Sequence, residues 1–194
     1  ESWWKINDQL DTGSCVGWAL ADSVLRWHYV KAGVLDKDEI LSPRFLWMAA
    51  KETDEFIAHP QSFIESAGTS LKAALKVADR FGCVPDSMLP FMSHQLYQGS
   101  TSSFYSKARD FRIRRYTRLL SQREWKRWLA KDGGPILIRV EVDSNWHLCP
   151  GGQLDHYDEY PLSSTLGGGH AAAVVGYNAN GDFIIRNSWG AMWG

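Results

Sequence analysis

The chain has 194 residues, of which 44% are hydrophobic and 22% are charged, and its formal net charge is −1. This length supports one substantial folded domain, and the composition excludes a disordered chain. The net charge gives no reason to expect a nucleic acid or another polyanion as a partner, and no apolar run reaches the roughly 20 residues that span a bilayer. The sequence shows no targeting segment and leaves the cellular compartment unknown.

The first half of the chain predicts three helices. Each has apolar residues at helical spacing, a Ser or Thr near its start or a Gly just after its end. Glu52–Ala67 and the polar stretch from 93 to 110 have no such period and are predicted to be irregular. The predicted helices run from Cys15 to Ala32, from Ser42-Pro43 to about Lys51, and from Gly68-Thr69-Ser70 to Phe81.

The second half predicts mostly strands. Ser121 and Glu124 form a capping-box pattern that opens one more helix, and Gly133-Gly134 closes it. Beyond that helix, β-branched residues and alternation indicate strands, and an Asn-Gly step at 180–181 indicates a turn. Asp143–Gly169 is predicted to be a long loop. The predicted strands are a short one at 111–114 and longer ones at 136–142, 171–177 and 182–187.

This change of character predicts an α+β fold. The whole chain, 1–194, is expected to be a single domain of two lobes, helical over about 1–118 and β-rich over about 119–194. A site shared by two lobes lies most often in the cleft between them.

Four residues have the chemical types that acyl transfer through a thiol requires. Cys15, at the start of a predicted helix, is the candidate nucleophile, because the positive end of a helix stabilises a thiolate. His170 is the candidate base and acid, and Asn187 would orient its ring. Gln9 would donate its amide N–H to the developing oxyanion, together with the backbone N–H of Cys15.

The segments around these residues resemble the three active-site motifs of the papain-like cysteine peptidases. The motifs occur in the family order of Gln, Cys, His and Asn, and the resemblance runs from about Lys5 to Gly194. It implies a papain-like two-lobed fold with the active site in the cleft, and a thiol-dependent endopeptidase acting on proteins or peptides without a cofactor or metal. The segments are Gln9-Leu10-Asp11-Thr12-Gly13-Ser14-Cys15, Gly169-His170-Ala171 and Asn187-Ser188-Trp189-Gly190.

The resemblance also implies roles for three further residues. Trp189 would cover the His170–Asn187 hydrogen bond from water, which strengthens such a bond. Gly68 and Gly169, and Trp189 as well, would border the bound substrate. For Gly68, an ordinary role as a helix-entry glycine is an equally open interpretation.

The sequence departs from the family pattern at the first motif. Thr12 replaces the cysteine that normally forms a disulfide beside the nucleophile, and the aromatic residue expected after Cys15 is displaced to Trp18. His170 and Asn187 follow Cys15 by 155 and 172 residues, about 20 more than the usual 130 to 150. The extra residues are expected in Glu52–Ala67 and Asp143–Gly169.

Several alternatives stay open at this point. An acyl-enzyme captured by an amine would make the chain an acyl or peptidyl transferase, and a domain without catalysis would be a binding module that keeps the cleft. Cys83 and Cys149 could form a disulfide, although three cysteines do not suggest a disulfide framework. His147 and Cys149 are a weak metal-ligand pair. Trp3-Trp4 is either an interaction patch or packed on the body.

Overall fold

The protein is described from a computed structural model, which defines residues 1–55, 68–92, 97–154 and 169–194. Predicted features at 56–67, 93–96 and 155–168, including most of both expected insertions, lie outside these residues. In the described ranges, most of the helices precede an antiparallel sheet of three strands, as expected for the α+β class. None of the helices in these ranges is long and apolar enough to cross a membrane.

The helices and strands have the following bounds. The first helical run changes type twice, from α1 to a π-helical segment and then to α2. Short 3₁₀ turns lie at Asp86–Met88, Arg109–Phe111 and Pro150–Gly152. The helices are α1 Cys15–Trp18, the π-helical segment Ala19–Leu25, α2 Arg26–Lys31, α3 Pro43–Thr53, α4 Leu71–Arg80, α5 Thr101–Ala108, α6 Gln122–Ala130 and α7 Ser144–Leu148; the strands are β1 Ile136–Glu141, β2 Gly169–Tyr177 and β3 Phe183–Arg186.

Serine side chains cap the helices where the sequence predicts them. Ser42 Oγ accepts from Phe45 N–H at the start of α3, and Ser70 Oγ accepts from Ala73 N–H at the start of α4. Ser121 Oγ does the same for α6. Each bond satisfies one of the backbone N–H groups that a helix start leaves without a partner, so these three boundaries are confirmed.

Two local predictions are wrong. The stretch from 93 to 110 is not irregular throughout, because Ser100 caps α5 and Phe104 packs against Phe45 with ring centroids 5.6 Å apart. Tertiary packing thus outweighs the modest helix propensity of Thr101-Ser102-Ser103. The predicted strand at 111–114 is absent, since Phe111 ends a 3₁₀ turn and is buried in the helical core.

The long loop predicted from Asp143 also contains α7. The Asp143 side chain caps this helix by accepting from Asn145 N–H. A five-residue helix has too little periodicity to be visible in sequence. The remainder of the predicted loop from residue 155 to 168 lies outside the described ranges.

The sheet has the order β1–β2–β3. Val140 of β1 pairs with His170 of β2, and Ala173 of β2 pairs with Arg186 of β3. If that last pairing is continued past the end of β3, Asn187 and Trp189 project from the same face as each other, with Trp189 level with His170. The sheet register therefore brings the second and third sequence motifs together.

Two clusters of buried apolar residues form the core. The larger one lies among the helices and includes Leu20, Leu46 and Val77. The smaller one packs β1 and β2 against Trp125 and Leu129 of α6. The larger cluster is the core of the helical lobe, and the smaller one is the core of the β-rich lobe. The boundary between the lobes near residue 118 stays a prediction.

A buried ionic network ties the N-terminal segment to the sheet. The Asp22 carboxylate, in the π-helical segment, accepts from Arg26 at 2.8 Å and from Arg186 at 2.7 Å. Arg186 also donates to the backbone carbonyls of Trp4 and Lys5. Trp4 therefore packs on the body, with the Arg186 guanidinium 4.4 Å from its ring centroid, and the second interpretation of the Trp3-Trp4 pair is correct for Trp4.

All three cysteines are free thiols. The open possibility of a bridge between Cys83 and Cys149 is therefore excluded. Cys83 is fully buried in the helical core, where it acts as a small apolar residue. Cys149 is buried as well, whereas Cys15 is partly accessible.

Candidate active site

Cys15 is the first residue of the helical run that continues to Lys31. The backbone N–H groups of Ala171 (the residue after His170), Val16 and Cys15 itself lie near its thiol and favour the negative form of the sulfur. Burial raises the pKa of the Cys15 thiol, and these three N–H groups lower the pKa by a smaller amount. The net direction is opposite to what the helix end alone would produce.

His170 and Asn187 form a direct hydrogen bond. His170 Nε2 lies 2.7 Å from Asn187 Oδ1, and both residues are buried. Asn187 Oδ1 also accepts from Ser188 N–H, which identifies this atom as the oxygen. His170 Nε2 therefore carries the hydrogen, and Nδ1 is the nitrogen free to exchange a proton.

The imidazole of His170 is held in a dry environment. Burial lowers the pKa of His170, and the hydrogen bond to Asn187 raises the pKa by less. No hydrogen bond joins Cys15 to His170 in the part of the chain that the structure describes. Such contacts often form only when substrate is bound.

Trp189 covers the His170–Asn187 pair. Its ring centroid lies 4.7 Å from that of His170. Two more tryptophans, Trp146 and Trp193, pack against Trp189 and complete an aromatic cluster. Trp193 packs edge-on against Trp189 and donates to the Trp146 carbonyl at 2.7 Å. This aromatic cluster excludes water from the hydrogen bond, so the bond acts in a medium of low dielectric constant.

Gln9 is held by hydrogen bonds from both ends of the chain. Its Oε1 accepts from Ser188 Oγ at 2.7 Å, and its Nε2 donates to the Thr12 carbonyl at 2.9 Å. The backbone N–H of Gln9 donates to the Ser188 carbonyl. The second amide hydrogen of Gln9 has no partner among the residues that the structure describes, and it is the candidate donor to an oxyanion.

Thr12 closes the loop between Gln9 and Cys15. Its hydroxyl donates to the Gln9 carbonyl at 2.6 Å and lies 2.6 Å from the hydroxyl of Ser14. Thr12 therefore links the two residues that flank the loop, at the position where the family pattern has a disulfide. The loop is held by hydrogen bonds among neighbouring residues and not by a covalent bridge.

Comparison with known proteins identifies the family of this chain. A family model described as papain family cysteine protease matches residues 2–194, nearly the whole chain. The chain belongs to the papain family of cysteine proteases. Among curated proteins, a putative cathepsin L 3 of Paramecium tetraurelia is 35% identical over 60 residues, which cover 31% of this chain and only 17% of the relative.

Solved structures confirm the papain-like fold. Xylellain, a cysteine protease from Xylella fastidiosa, superposes with a TM-score of 0.69 at 24% identity, covering 98% of this chain and 73% of that one. The bromelain protease of Ananas comosus, in complex with the E64 inhibitor, gives a TM-score of 0.60 at 20% identity, covering 98% and 80%. Digestive procathepsin L 3 of Tenebrio molitor gives a TM-score of 0.64 at 18% identity, covering 98% and 58%.

The two glycines expected at the substrate cleft have different surroundings. A Cβ on Gly68 would lie 3.7 Å from the Gly13 carbonyl, so Gly68 faces the loop that leads to Cys15. A Cβ on Gly169 would collide with the guanidinium of Arg139, which is a movable group. Gly68 thus lies beside the segment between Gln9 and Cys15. The substrate-binding roles of both glycines stay predictions.

Sequence reasoning missed several residues that build the site. Ser188 follows Asn187 directly, and its hydroxyl orients Gln9. His147, interpreted in sequence as a weak metal ligand, instead stacks on Trp189 with the rings 5.5 Å apart and nearly parallel. The described residues hold no cluster of three or more His, Cys, Asp or Glu that could bind a metal ion. The repeat of Trp four residues after Trp189 was the available signal for Trp193.

Proposed function

We propose that this papain-family chain is a thiol-dependent endopeptidase that hydrolyses peptide bonds through an acyl-enzyme intermediate. The observation that carries the proposal is the buried hydrogen bond from His170 Nε2 to Asn187 Oδ1, covered by Trp189. This bond occupies His170 Nε2, so Nδ1 is the nitrogen that can exchange a proton. The backbone N–H of the next residue in β2, Ala171, favours the negative form of the Cys15 thiol.

In the first half of the reaction, Cys15 Sγ attacks the carbonyl carbon of the scissile peptide, and its proton passes to His170 Nδ1. The carbonyl oxygen becomes an oxyanion, which accepts from the backbone N–H of Cys15 and the free amide hydrogen of Gln9. His170 then donates the proton to the leaving amine. The C–N bond breaks, and a thioester to Cys15 remains.

In the second half, a water molecule attacks the thioester carbonyl. His170 Nδ1 takes a proton from that water, and the same two donors hold the second oxyanion. Collapse of this intermediate breaks the C–S bond, releases the carboxylic acid and returns the proton to Cys15. Asn187 keeps the ring oriented in both halves.

The opposite pKa shifts of the two groups affect the resting state. Burial raises the pKa of Cys15 and lowers that of His170, so each group by itself favours its neutral form. Proton transfer is then coupled to attack on the substrate. The N–H groups of Ala171, Val16 and Cys15 supply the stabilisation that the sulfur needs when it becomes negative.

Cleavage of a peptide library by the wild-type chain and by Cys15→Ala tests the proposal. We expect internal cleavage by the wild type and none by Cys15→Ala. Cys83→Ala is the matched control, because it removes a fully buried thiol of the helical core that takes no part in the proposed reaction, and it should keep activity. An irreversible epoxide should label Cys15 alone.

Two outcomes would contradict the proposal. Equal labelling of all three cysteines, or cleavage by Cys15→Ala, would exclude Cys15 as the nucleophile. Product analysis with and without an added amine separates hydrolysis from transfer, because capture of the acyl group by the amine would identify a transferase.

A further inference from the structure

Charge is unevenly distributed along this chain. Residues 107–131 contain ten Lys or Arg and two Asp or Glu, whereas the other 169 residues contain eleven Lys or Arg and twenty Asp or Glu. A strongly cationic stretch and an anionic remainder therefore cancel to the net charge of −1. The net charge alone conceals a surface that can attract an anionic partner.

Most cations of this stretch are exposed and have no carboxylate partner. Nine of the ten side chains are exposed, Lys126 being the exception. Lys107 pairs with Asp110, and Arg112 donates to the Asp79 carbonyl. The others form no ion pair with any residue that the structure describes; we call these seven residues the basic surface: Arg109, Arg114, Arg115, Arg118, Arg123, Arg127 and Lys131.

Three of these cations repel one another on α6 and just beyond its end. Arg123, Arg127 and Lys131 follow at intervals of four residues, so they line one exposed face. Like charges at this spacing destabilise a helix. Glu124, the acidic residue within α6, is engaged in accepting from Leu120 N–H. The arrangement has a cost in the free chain that a bound anion would remove.

Two exposed side chains with apolar surface, those of Tyr116 and Leu120, lie between these cations in the sequence. Leu120 is 75% exposed and Tyr116 is 50% exposed, and Arg118 and Arg123 flank Leu120 in sequence. The backbone of Leu120 is fixed by its bond to Glu124, so its exposure is built into the fold. Leu120 is the residue directly before the N-cap of α6. An apolar residue in this place commonly packs on the side chain at the position that Trp125 occupies. Here Leu119 packs on the core and Leu120 is exposed.

The basic surface lies away from the candidate catalytic residues. Lys126 of α6 lies over the ring of Tyr177, at the opposite end of β2 from His170. Tyr177 follows His170 by seven positions along the strand, which corresponds to roughly 23 Å. A partner on this surface therefore leaves the cleft open.

We propose that the basic surface, together with the exposed side chains of Leu120 and Tyr116, attaches the protein peripherally to an anionic lipid bilayer. Unpaired Lys and Arg attract acidic headgroups, and an aliphatic and an aromatic side chain enter the interface between headgroups and chains. Leu120 favours a bilayer over a nucleic acid strand, because an aliphatic side chain offers no flat face on which a base can stack.

Vesicle flotation with the full chain tests this attachment. We expect binding to phosphatidylcholine vesicles that contain one third phosphatidylserine, weaker binding in raised salt, and none to phosphatidylcholine alone. Replacing Arg114, Arg115 and Arg118 by Gln should reduce the partition coefficient at least about tenfold. Leu120→Ser with Tyr116→Ser should reduce it several-fold without a change of charge.

A matched variant separates the surface from overall charge. Replacing Lys5, Lys37 and Lys76 by Gln removes the same charge elsewhere and should leave vesicle binding unchanged. Peptide cleavage should be the same in all of these variants. Equal loss in the two triple variants, binding to neutral vesicles, or binding to a single-stranded oligonucleotide without binding to vesicles would each overturn the proposal.

Discussion

Ser188 Oγ donates a hydrogen bond to Gln9 Oε1 over 2.7 Å, and the two residues are 179 positions apart in the chain. The bond fixes which end of the Gln9 amide carries the N–H groups. One of those hydrogens is used by the Thr12 carbonyl, and the other is free. The hydroxyl of Ser188 thereby determines the orientation of the proposed oxyanion donor.

Ser188→Ala should lower kcat about tenfold with little change in KM, because the lost bond of about 1.4 kcal/mol acts on a donor used at the oxyanion stage. Steady-state kinetics on a peptide substrate measure the effect. Combining the substitution with Gln9→Ala supplies the control. If Ser188 acts through Gln9, the double variant is no slower than Gln9→Ala alone, and fully additive losses would exclude this route.

Thr12→Val should lower the free energy of unfolding by about 1 to 3 kcal/mol, since it replaces the hydroxyl that bonds the Gln9 carbonyl and Ser14 by a methyl group. Thr12→Ser keeps the hydroxyl and should lose much less. Urea denaturation of both variants gives the comparison. Equal stability of the Val and Ser variants would show that the hydroxyl does not hold this loop.

Asp22→Asn should destabilise the fold by about 3 to 5 kcal/mol, because two buried guanidiniums, Arg26 and Arg186, lose their shared counter-charge. The exposed pair of Lys31 and Glu1 provides the contrast, and Glu1→Gln should cause no measurable loss. Thermal and urea denaturation measure both. A small effect of Asp22→Asn would mean that water reaches the network.

Asp86→Asn should remove a pH dependence of stability. Burial raises the pKa of Asp86 to about 6, and a bond from Phe91 N–H opposes the shift. Because the folded-state pKa lies above the unfolded value, this stability is present below about pH 4 and is lost as the pH rises through 6. Asp86 is partly exposed, so solvent screening reduces the effect of the full shift, and the Asn variant should gain about 1 to 2 kcal/mol over wild type between those limits.

Urea denaturation of wild type and Asp86→Asn at about pH 4, 5, 6 and 7 measures how the difference in their free energies of unfolding changes with pH. Asn at this position can still accept from Phe91 N–H, so the comparison isolates the charge. A constant difference between the two proteins across the pH series would contradict a raised pKa at Asp86.

The parts of the fold that could be predicted from sequence are those with local signals. The serine caps of α3, α4 and α6 act within three residues, and the strands of the sheet show β-branched residues in runs. Long-range packing gives no such signal. The helix α5 exists because Phe104 meets Phe45, a partner 59 residues away, and its own residues are weak helix formers.

The candidate site divides in the same way. Cys15, His170 and Asn187 stand in ordered motifs, so their sequence positions were sufficient to select them. The bond from Ser188 to Gln9 and the stacking of His147 on Trp189 depend on which strands become neighbours. The direction of the Cys15 pKa shift was wrong from sequence because burial, which is a property of the packed lobes, outweighs the nearby N–H groups.

The Arg186 guanidinium, which bonds to the carbonyls of Trp4 and Lys5, makes the last strand depend on the first few residues. Contacts between residues so far apart form late, because the entropy of closing the whole chain must be overcome first. A partly folded chain would therefore hold Cys15 at its helix end without a fixed Asn187 or Gln9. The proposed cleavage would therefore begin only after Arg186 has docked on the N-terminal segment.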